Sequence, residues 1–172
     1  MEFLTDRLVL SPVEERDLAF YRRFLLNPAL TRWLPVNEPC TEAEVRLHHT
    51  RRLGHWDRHG FGTWILRSVE TGESVGYCGL EHVGDTSFVD LRYGLLKGAQ
   101  GQGLALEAGR AVLSRGFRDL GLQRIYGASM HENIASVALL LALGMRLDAH
   151  FDLYGTNLFN ASVDAKAFLK TL

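Results

Sequence analysis

The spacing of apolar and polar positions divides the chain into alternating strand-like and helix-like runs. "RLVLSP", Arg7 to Pro12, alternates with period two and stops at a proline, which predicts a strand. From Val13 to Leu26 the positions Leu18, Tyr21, Leu25 and Leu26 recur at helical spacing. Glu14 and Glu15 stand near the end of that helix where its dipole favours negative charge. "NPALTRWLPVNEPC" holds three of the four prolines and predicts a loop. Thr41 followed by Glu44 is a capping-box pattern, opening a second helix that runs to about Arg58 with a polar face rich in Arg and His. Three strand-like runs follow, "FGTWILRSV", "SVGYCGLEHV" and "TSFVDLRYGLL". The turn signals "ETGE" at 70–73 and "GD" at 84–85 between them predict an antiparallel meander.

The second half continues with a helix from about Gln102 to Arg118 and a strand in "LQRIYGASM". Another helix lies in "NIASVALLLALG", with Asn133 as N-cap and Gly144 as C-cap. It is apolar on every side, which predicts burial. "MRLDAHFDLYG" and "NLFNASVDA" predict a closing hairpin. The order β-α-α-β-β-β-α-β-α-β-β describes an α/β chain (an α+β mixed sheet) with helices on its faces.

Length and composition narrow the class. The chain has 172 residues, enough for one ordinary domain, 1–172, with a full core. Formal net charge is −1, which argues against nonspecific nucleic-acid binding. Cys40 and Cys78 form no C-x-x-C pair, so no zinc or redox motif is read, and a disulfide between them is not favoured. "MEFLTDRLVL" has charges inside its apolar run, unlike a signal peptide. The longest uncharged apolar run, Ile134 to Met145, is too short to span a bilayer. These features predict a cytoplasmic protein with no membrane partner.

The chemistry concentrates at "GAQGQGLALEAGRAV", Gly98 to Val112, where glycines crowd between a strand and a helix. Three phosphate loops compete for it. Gly98 and Gly103 have the Walker spacing, but Leu104 and Ala105 replace its Lys and hydroxyl residue. The dinucleotide fingerprint would begin at Gly101 and Gly103, but Leu106 stands where its third Gly belongs. The pattern Q/R-x-x-G-x-G/A is met in register by Gln100, Gly103 and Ala105. Gly101 and Gly103 can turn backbone N–H groups toward one point, and the following helix N-terminus favours an anion there. The alternative is an ordinary glycine-rich connection that binds nothing.

Taken with its surroundings, this stretch resembles the GCN5-related N-acetyltransferase (GNAT) family, in its ribosomal-protein N-terminal acetyltransferase-like (RimJ/RimL-like) branch. "LTDRLVLSPVEERDL" is similar to that branch's opening strand and helix, and "GFGTWILRSVETGESVGYCGL" to its second and third strands. "VDLRYGLLKGAQGQGLALEA" is similar to its fourth strand and pyrophosphate loop, and "ENIASVALLLALGM" to its Asn, Ser and Leu-Gly signature. The resemblance spans nearly the whole chain in the family's order. It implies one N-acetyltransferase domain whose fourth and fifth strands, about Ser87–Leu96 and Arg124–Met130, splay apart to admit acetyl-CoA as co-substrate, with no metal.

By the same resemblance, backbone at Leu95 and Leu96 would hold the pantetheine arm and acetyl carbonyl, and an N–H there would stabilise the oxyanion. The N–H groups of Gly101, Gln102, Gly103, Leu104 and Ala105, beside Gln100, would hold the pyrophosphate. Asn133 would lie near the pantetheine and Ser136 near the thiol; locally Asn133 is equally a helix cap. The implied reaction moves acetyl to a primary amine, either a protein N-terminal α-amine or a small amine, by direct attack in a ternary complex. A non-catalytic acyl-CoA-binding or scaffold protein of the same fold is the alternative. Expected partners are the amine acceptor and, as an option left open, a second copy of the chain in a homodimer, but no nucleic acid.

An alkyl amine of pKa near ~10 must lose a proton before attack, and a thiolate of pKa roughly 8–9 leaves. Strand alternation puts Phe88, Asp90, Arg92 and Gly94 on one face and Val89, Leu91, Tyr93 and Leu95 on the other, which should face the core. Asp90 is the candidate base, acting through a water because its side chain is short. The competing account is a surface ion pair with Arg92. Many relatives carry a Tyr acid where this chain has Leu140, which leaves Ser136 as the matched hydroxyl. Met145 replaces the common Phe after Gly144. His55 and His59 stand i,i+4 without the Glu of H-E-x-x-H. With His48 and His49 they predict a solvated or substrate-facing face, not a metal site. Trp33 and Trp56 are expected to pack, and Cys78 to be a small buried hydrophobe.

Overall fold

The computed structural model describes residues 1–34 and 40–171. In chain order the elements are β1 (Phe3–Leu4), β2 (Leu8–Pro12), α1 (Leu18–Leu25), α2 (Pro28–Thr31), α3 (Glu42–His59), β3 (Thr63–Ser68), β4 (Ser74–His82) and β5 (Val89–Leu95). After them come α4 (Leu104–Arg118), β6 (Arg124–Met130), α5 (Ile134–Ala142), β7 (Arg146–Leu147), β8 (Leu158–Asp164) and α6 (Ala165–Leu169). The strands form one mixed sheet in the order β1-β2-β3-β4-β5-β6-β8-β7. β1 through β5 pair antiparallel, which confirms the predicted meander. The α/β architecture and the order of its main elements are those the pattern predicts.

Alternation along β4 and β5 sorts side chains to two apolar layers. Cys78, Leu80, Val89 and Leu91 face the layer that α4 fills with Ala108, Val112 and Leu113. Tyr77 and Ile65 face the opposite layer, filled by Phe20, Tyr21 and Phe24 of α1 and Val45 of α3. The capping box that opens α3 is formed: Thr41 Oγ1 accepts from the Glu44 N–H at 3.2 Å, and the Thr41 N–H donates to Glu44 at 2.7 Å. Gly60 closes α3 with φ 71°, which a residue without Cβ adopts at low cost.

The structure corrects several expectations. The first helix starts only at Leu18, because a 3-10 turn at Glu15–Asp17 precedes it. Asp17 folds back there to accept from the Glu14 N–H at 2.8 Å. In the stretch expected to be loop, Asn27 caps α2 by accepting from the Ala29 N–H at 3.1 Å, with Pro28 as its first residue. Asn-Pro here opens a helical turn, where proline's missing N–H costs nothing. The rest of that proline-rich stretch, 35–39, lies outside the described residues. The closing hairpin is mostly loop, since only Arg146–Leu147 pair with β8, and the short α6 after it was not foreseen.

α5 is the clearest departure. Only Leu140 of the helix is buried, while Ile134 is 71% and Leu141 43% exposed. Leu140 lies over Gly127, where an added Cβ would lie 2.9 Å from it, and Val137 and Leu139 pack against the core half-buried. One packed face cannot cover a helix that is apolar all round.

Gly79 shows how tightly β3 and β4 approach: a Cβ there would lie 2.3 Å from Thr63 Cα and 2.6 Å from the Gly62 carbonyl. Those are backbone atoms and cannot swing away. Gly79→Ala is therefore expected to lower unfolding free energy by about 2 kcal/mol or more, read as a lower urea midpoint at unchanged slope; an unchanged midpoint would refute it.

Candidate active site

The site grows from the place where the sheet opens. β5 and β6 are parallel and share a single bridge, Asp90 opposite Tyr126, beyond which their C-terminal ends are unpaired. The Leu96 N–H donates to the Val75 carbonyl at 2.9 Å, so it is taken up by the sheet. Gly76 stands opposite Leu95 in the next register position. Ladder alternation therefore turns the Leu95 N–H away from β4, toward the open gap. The Leu95 carbonyl accepts from Gln100 Nε2 at 3.0 Å, which ties the glycine stretch to the strand.

That stretch makes a 3-10 turn at Lys97–Ala99 and then two left-handed residues, Gly101 (φ 75°) and Gly103 (φ 78°). Gln102 braces it internally, donating through Nε2 to the Gly98 carbonyl at 2.7 Å. Arg7 holds it from outside, with Nη1 on the Gln102 carbonyl at 2.8 Å and Nε on Glu107 of α4 at 2.7 Å. Glu107 also accepts from the Thr5 hydroxyl and the Arg7 N–H. Gly103 heads α4 with no side-chain cap, unlike α3 and α5, so the first N–H groups at Leu104 and Ala105 are presented at a glycine cradle. Such an end accepts an anion.

Across the gap, α5 brings Asn133 and Ser136. Asn133 Oδ1 accepts from the Ser136 N–H at 3.3 Å, which is the cap read from the sequence. Ser136 Oγ lies 2.6 Å from the Tyr93 hydroxyl of β5. Tyr93 points to the apolar side of β5 as alternation predicts, and burial pushes its phenol up to about 12. Sequence reading missed this hydroxyl because the position counts as core. Leu140, where many relatives carry Tyr, is fully buried.

The opposite face of β5 carries the acids. Asp90 is 4% exposed, so its contact with Arg92 is no surface ion pair. Arg92 bridges two buried carboxylates, with Nε on Asp90 Oδ1 at 2.9 Å and Nη1 on Glu81 Oε2 at 2.7 Å. Glu81, opposite Asp90 on β4, also accepts the Thr63 hydroxyl at 2.6 Å. Tyr154, in the loop before β8, donates its hydroxyl to Asp90 Oδ2 and accepts from Arg92 Nη2 at 3.2 Å. Burial raises Asp90 above the usual carboxylate range against the pull of Arg92 and Tyr154. Burial pushes Glu81 the same way, but two guanidinium groups, Arg52 and Arg92, hold it below that range. Glu81 and Tyr154 carry no signal in sequence: one lies in a strand pattern, the other in a loop 64 residues from Asp90.

Part of the Arg/His set of α3 turns inward, contrary to a wholly solvated face, while Arg46, Arg51, Arg58 and His59 are exposed. His49, Arg52 and His55 are buried. The His82 N–H donates to His55 Nε2 at 2.9 Å, so Nε2 carries no proton and Nδ1 donates to the Phe61 carbonyl at 2.8 Å. Trp56 packs, as expected, and donates to the Thr63 carbonyl at 2.8 Å, while Arg32 lies over Trp33 at 4.5 Å. Cys78 is fully buried, with its thiol pushed up to about 12, and both cysteines are unpaired. Among the described residues no group of three or more His, Cys, Asp or Glu is placed to hold a metal, and no helix is long and apolar enough to cross a membrane.

The chain matches the acetyltransferase (GNAT) domain family over residues 7–146. It is 38% identical over 153 residues to the uncharacterized N-acetyltransferase YnaD of Bacillus subtilis, covering 88% of this chain and 86% of that one. It is 31% identical over 162 residues to the FsC-acetyl coenzyme A-N(2)-transacetylase of Aspergillus fumigatus, covering 88% of this chain and 68% of that one. The solved acetyltransferase of Agrobacterium tumefaciens str. C58 shares the fold, with a TM-score of 0.86 at 24% identity over 95% of this chain and 94% of that one.

His55 makes stability depend on pH. Burial, and then His59 and His82 beside it, lower its proton affinity in the folded state. The unfolded chain thus binds the proton first. The stabilisation is complete above the unfolded value near ~6.5 and is lost as pH falls below it. The melting temperature is expected to drop between about pH 7 and 5. His55→Gln should flatten part of that drop; an equally steep profile would contradict the assignment.

Proposed function

Because the chain belongs to the GNAT acetyltransferase family, we propose that this N-acetyltransferase moves acetyl from acetyl-CoA to a primary amine by direct attack in a ternary complex. The carrying observation is the gap beyond the Asp90–Tyr126 bridge, flanked by an uncapped α4 N-terminus. Its chemistry suits the donor: the cradle offers N–H groups and a helix dipole to a pyrophosphate, and the gap offers an extended strand edge to a pantetheine amide. In this reading the N–H groups of Gly101 to Ala105, with Gln100 shaping the turn, hold the pyrophosphate. Leu95 holds the acetyl carbonyl and its N–H faces the developing oxyanion. Leu96 supports the strand, and Asn133 and Ser136 line the thiol end.

Proton traffic follows the hydrogen bonds. Both oxygens of Asp90 are engaged, so Asp90 receives the amine proton through Tyr154. The phenol has a free lone pair for an amine N–H while its own proton faces Asp90 Oδ2. Uptake by the phenol oxygen and release to the carboxylate leave Tyr154 neutral. At the other end the Ser136–Tyr93 hydroxyl pair is the proton source for the departing thiolate, in the place left by Leu140. The acceptor is a protein N-terminal α-amine or a small amine. The ribosomal-protein branch enters this proposal through the opening and signature motifs, and the fungal relative's N(2)-transacetylase name supports transfer to a nitrogen. The two unpaired buried thiols suit a cytoplasmic location.

Thiol release from acetyl-CoA over a panel of amines tests the proposal. Turnover supports it, while acetyl-CoA that raises the melting temperature without turnover with any amine would favour a binding or scaffold role. Asp90→Asn is expected to lower kcat/KM by about 10²-fold or more and to shift the acid limb of the pH–rate profile. Tyr154→Phe should lower kcat in the same direction. An unshifted profile in both variants would remove the pair from the proton path.

A further inference from the structure

The inward face of α3 holds three nitrogen-bearing side chains, His49, Arg52 and His55, and the two histidines are accounted for within the protein. His49 Nε2 lies 2.9 Å from the Glu14 carbonyl, and both His55 nitrogens are engaged as described. Arg52 differs. It is 9% exposed, and its guanidinium lies over the rings of Tyr21 and Tyr77, 5.0 and 5.1 Å from their centroids. Its hydrogen bonding amounts to one long contact, Nη1 to the His48 carbonyl at 3.4 Å, and Nε has no partner. Among the described residues no carboxylate comes within ion-pair reach of it. Of the buried acids on this side of the sheet, Glu81 and Asp90 are held by Arg92 and Asp17 by Arg67. The Tyr21 hydroxyl under the same guanidinium is also buried without a partner.

Glu81 lies in the field of Arg52 but makes no direct contact with it, and a buried guanidinium with unfilled N–H donors is costly, as is a buried hydroxyl without a hydrogen bond. Here two such donors share one wall. That wall adjoins the reaction site: Tyr77, under Arg52, stands opposite Gly94, the residue before Leu95. Arg52 also sits in the field of Glu81 and Arg92, so it borders the acid network. A guanidinium offers a planar fork of N–H donors that matches a carboxylate. A polyamine would instead bring a second positive charge against Arg52 and Arg92, which disfavours it.

We propose that the acceptor is a small amine that carries a carboxylate, as an amino acid does, and that Arg52 binds this carboxylate while the amine faces Tyr154 and the thioester. The inference rests on the acetyl-transfer reading above and narrows its acceptor. It makes Arg52 a substrate-binding residue and the buried Tyr21 hydroxyl its companion donor.

Thiol release by the full chain is measured on matched pairs: amino acids and their carboxamides, spermidine, and peptides beginning with Asp or with Asn. The free acid is expected to exceed its amide in kcat/KM by about tenfold or more, the loss of one charge-assisted contact. Arg52→Gln should raise KM for the acid by about tenfold and lower kcat/KM for the acid about tenfold more than for the amide. Equal losses on both would show Arg52 to be a packing residue and overturn the assignment. Should the variant fail to fold, the wild-type ratio of acid to amide decides. Amide or spermidine used as well as the acid would overturn the inference and leave acetyl transfer standing. A peptide with N-terminal Asp preferred to every free amino acid would overturn the small-molecule acceptor. No turnover with any amine, with acetyl-CoA still bound, would overturn the transfer reading and this inference together.

Discussion

Arg92 lies between two buried carboxylates on neighbouring strands, and much of the site depends on that arrangement. Removing a charge from water costs several kcal/mol in a protein interior, and breaking one member of such a group leaves its partner uncompensated. The group is tolerable only because each carboxylate has a second partner for its other oxygen. Thr63 serves Glu81 and Tyr154 serves Asp90. These partners come from β3 and from the loop before β8, so the charges draw together elements far apart in the chain. Asp90 is also the residue at which β5 and β6 make their one bridge. The point where the sheet opens is therefore the point where its buried acid lies.

On the acetyl-transfer reading the two sides of the opening are built differently. The donor side is then made of backbone: glycines with left-handed φ, an uncapped helix start, and a strand edge whose N–H points into the gap. Arg7, between β1 and β2, holds this backbone in place directly and through Glu107 of α4, joining residues 100 positions apart. On the same reading the acceptor side is made of side chains from α1, α3, β4, β5 and the loop before β8. Backbone recognition suits a ligand part that never changes, while side chains can differ from one acceptor to another.

That division explains what could be read from the sequence. Gln100, Gly103 and Ala105 sit in consecutive order, and glycines announce backbone geometry directly, so the loop and the strand before it were legible. So were the Thr41–Glu44 box and the Asn133 cap, which are local hydrogen bonds between near neighbours. Glu81, Tyr93 and Tyr154 were not, because each becomes significant only through a partner on another element. Asp90 was found but its environment was misjudged: Arg92 two residues away suggests a surface pair, and only packing by Glu81 and Tyr154 shows the burial. The inward turn of His49, Arg52 and His55 was hidden for the same reason. A helix rich in Arg and His reads as solvated until the sheet beneath it is seen to carry carbonyls and acids.

α5 makes the converse point. Its apolar sequence predicts burial, yet hydrophobicity sets only what a helix would gain from contact, not how much contact the fold provides. Leu140 seats over Gly127 of β6 and the half-buried Val137 and Leu139 pack beside it, which leaves the outer face of the helix uncovered. What that placement does achieve is positional: Leu140 anchors the helix over β6, and the anchored helix carries Ser136 to Tyr93 across the gap. Two strands that part after one bridge need such a tie, and the hydroxyl pair supplies it at the end where a thioester would lie. The apolar character of α5 thus serves to seat one serine, and the proposed acetyl transfer draws on that seat as much as on the acids across the sheet.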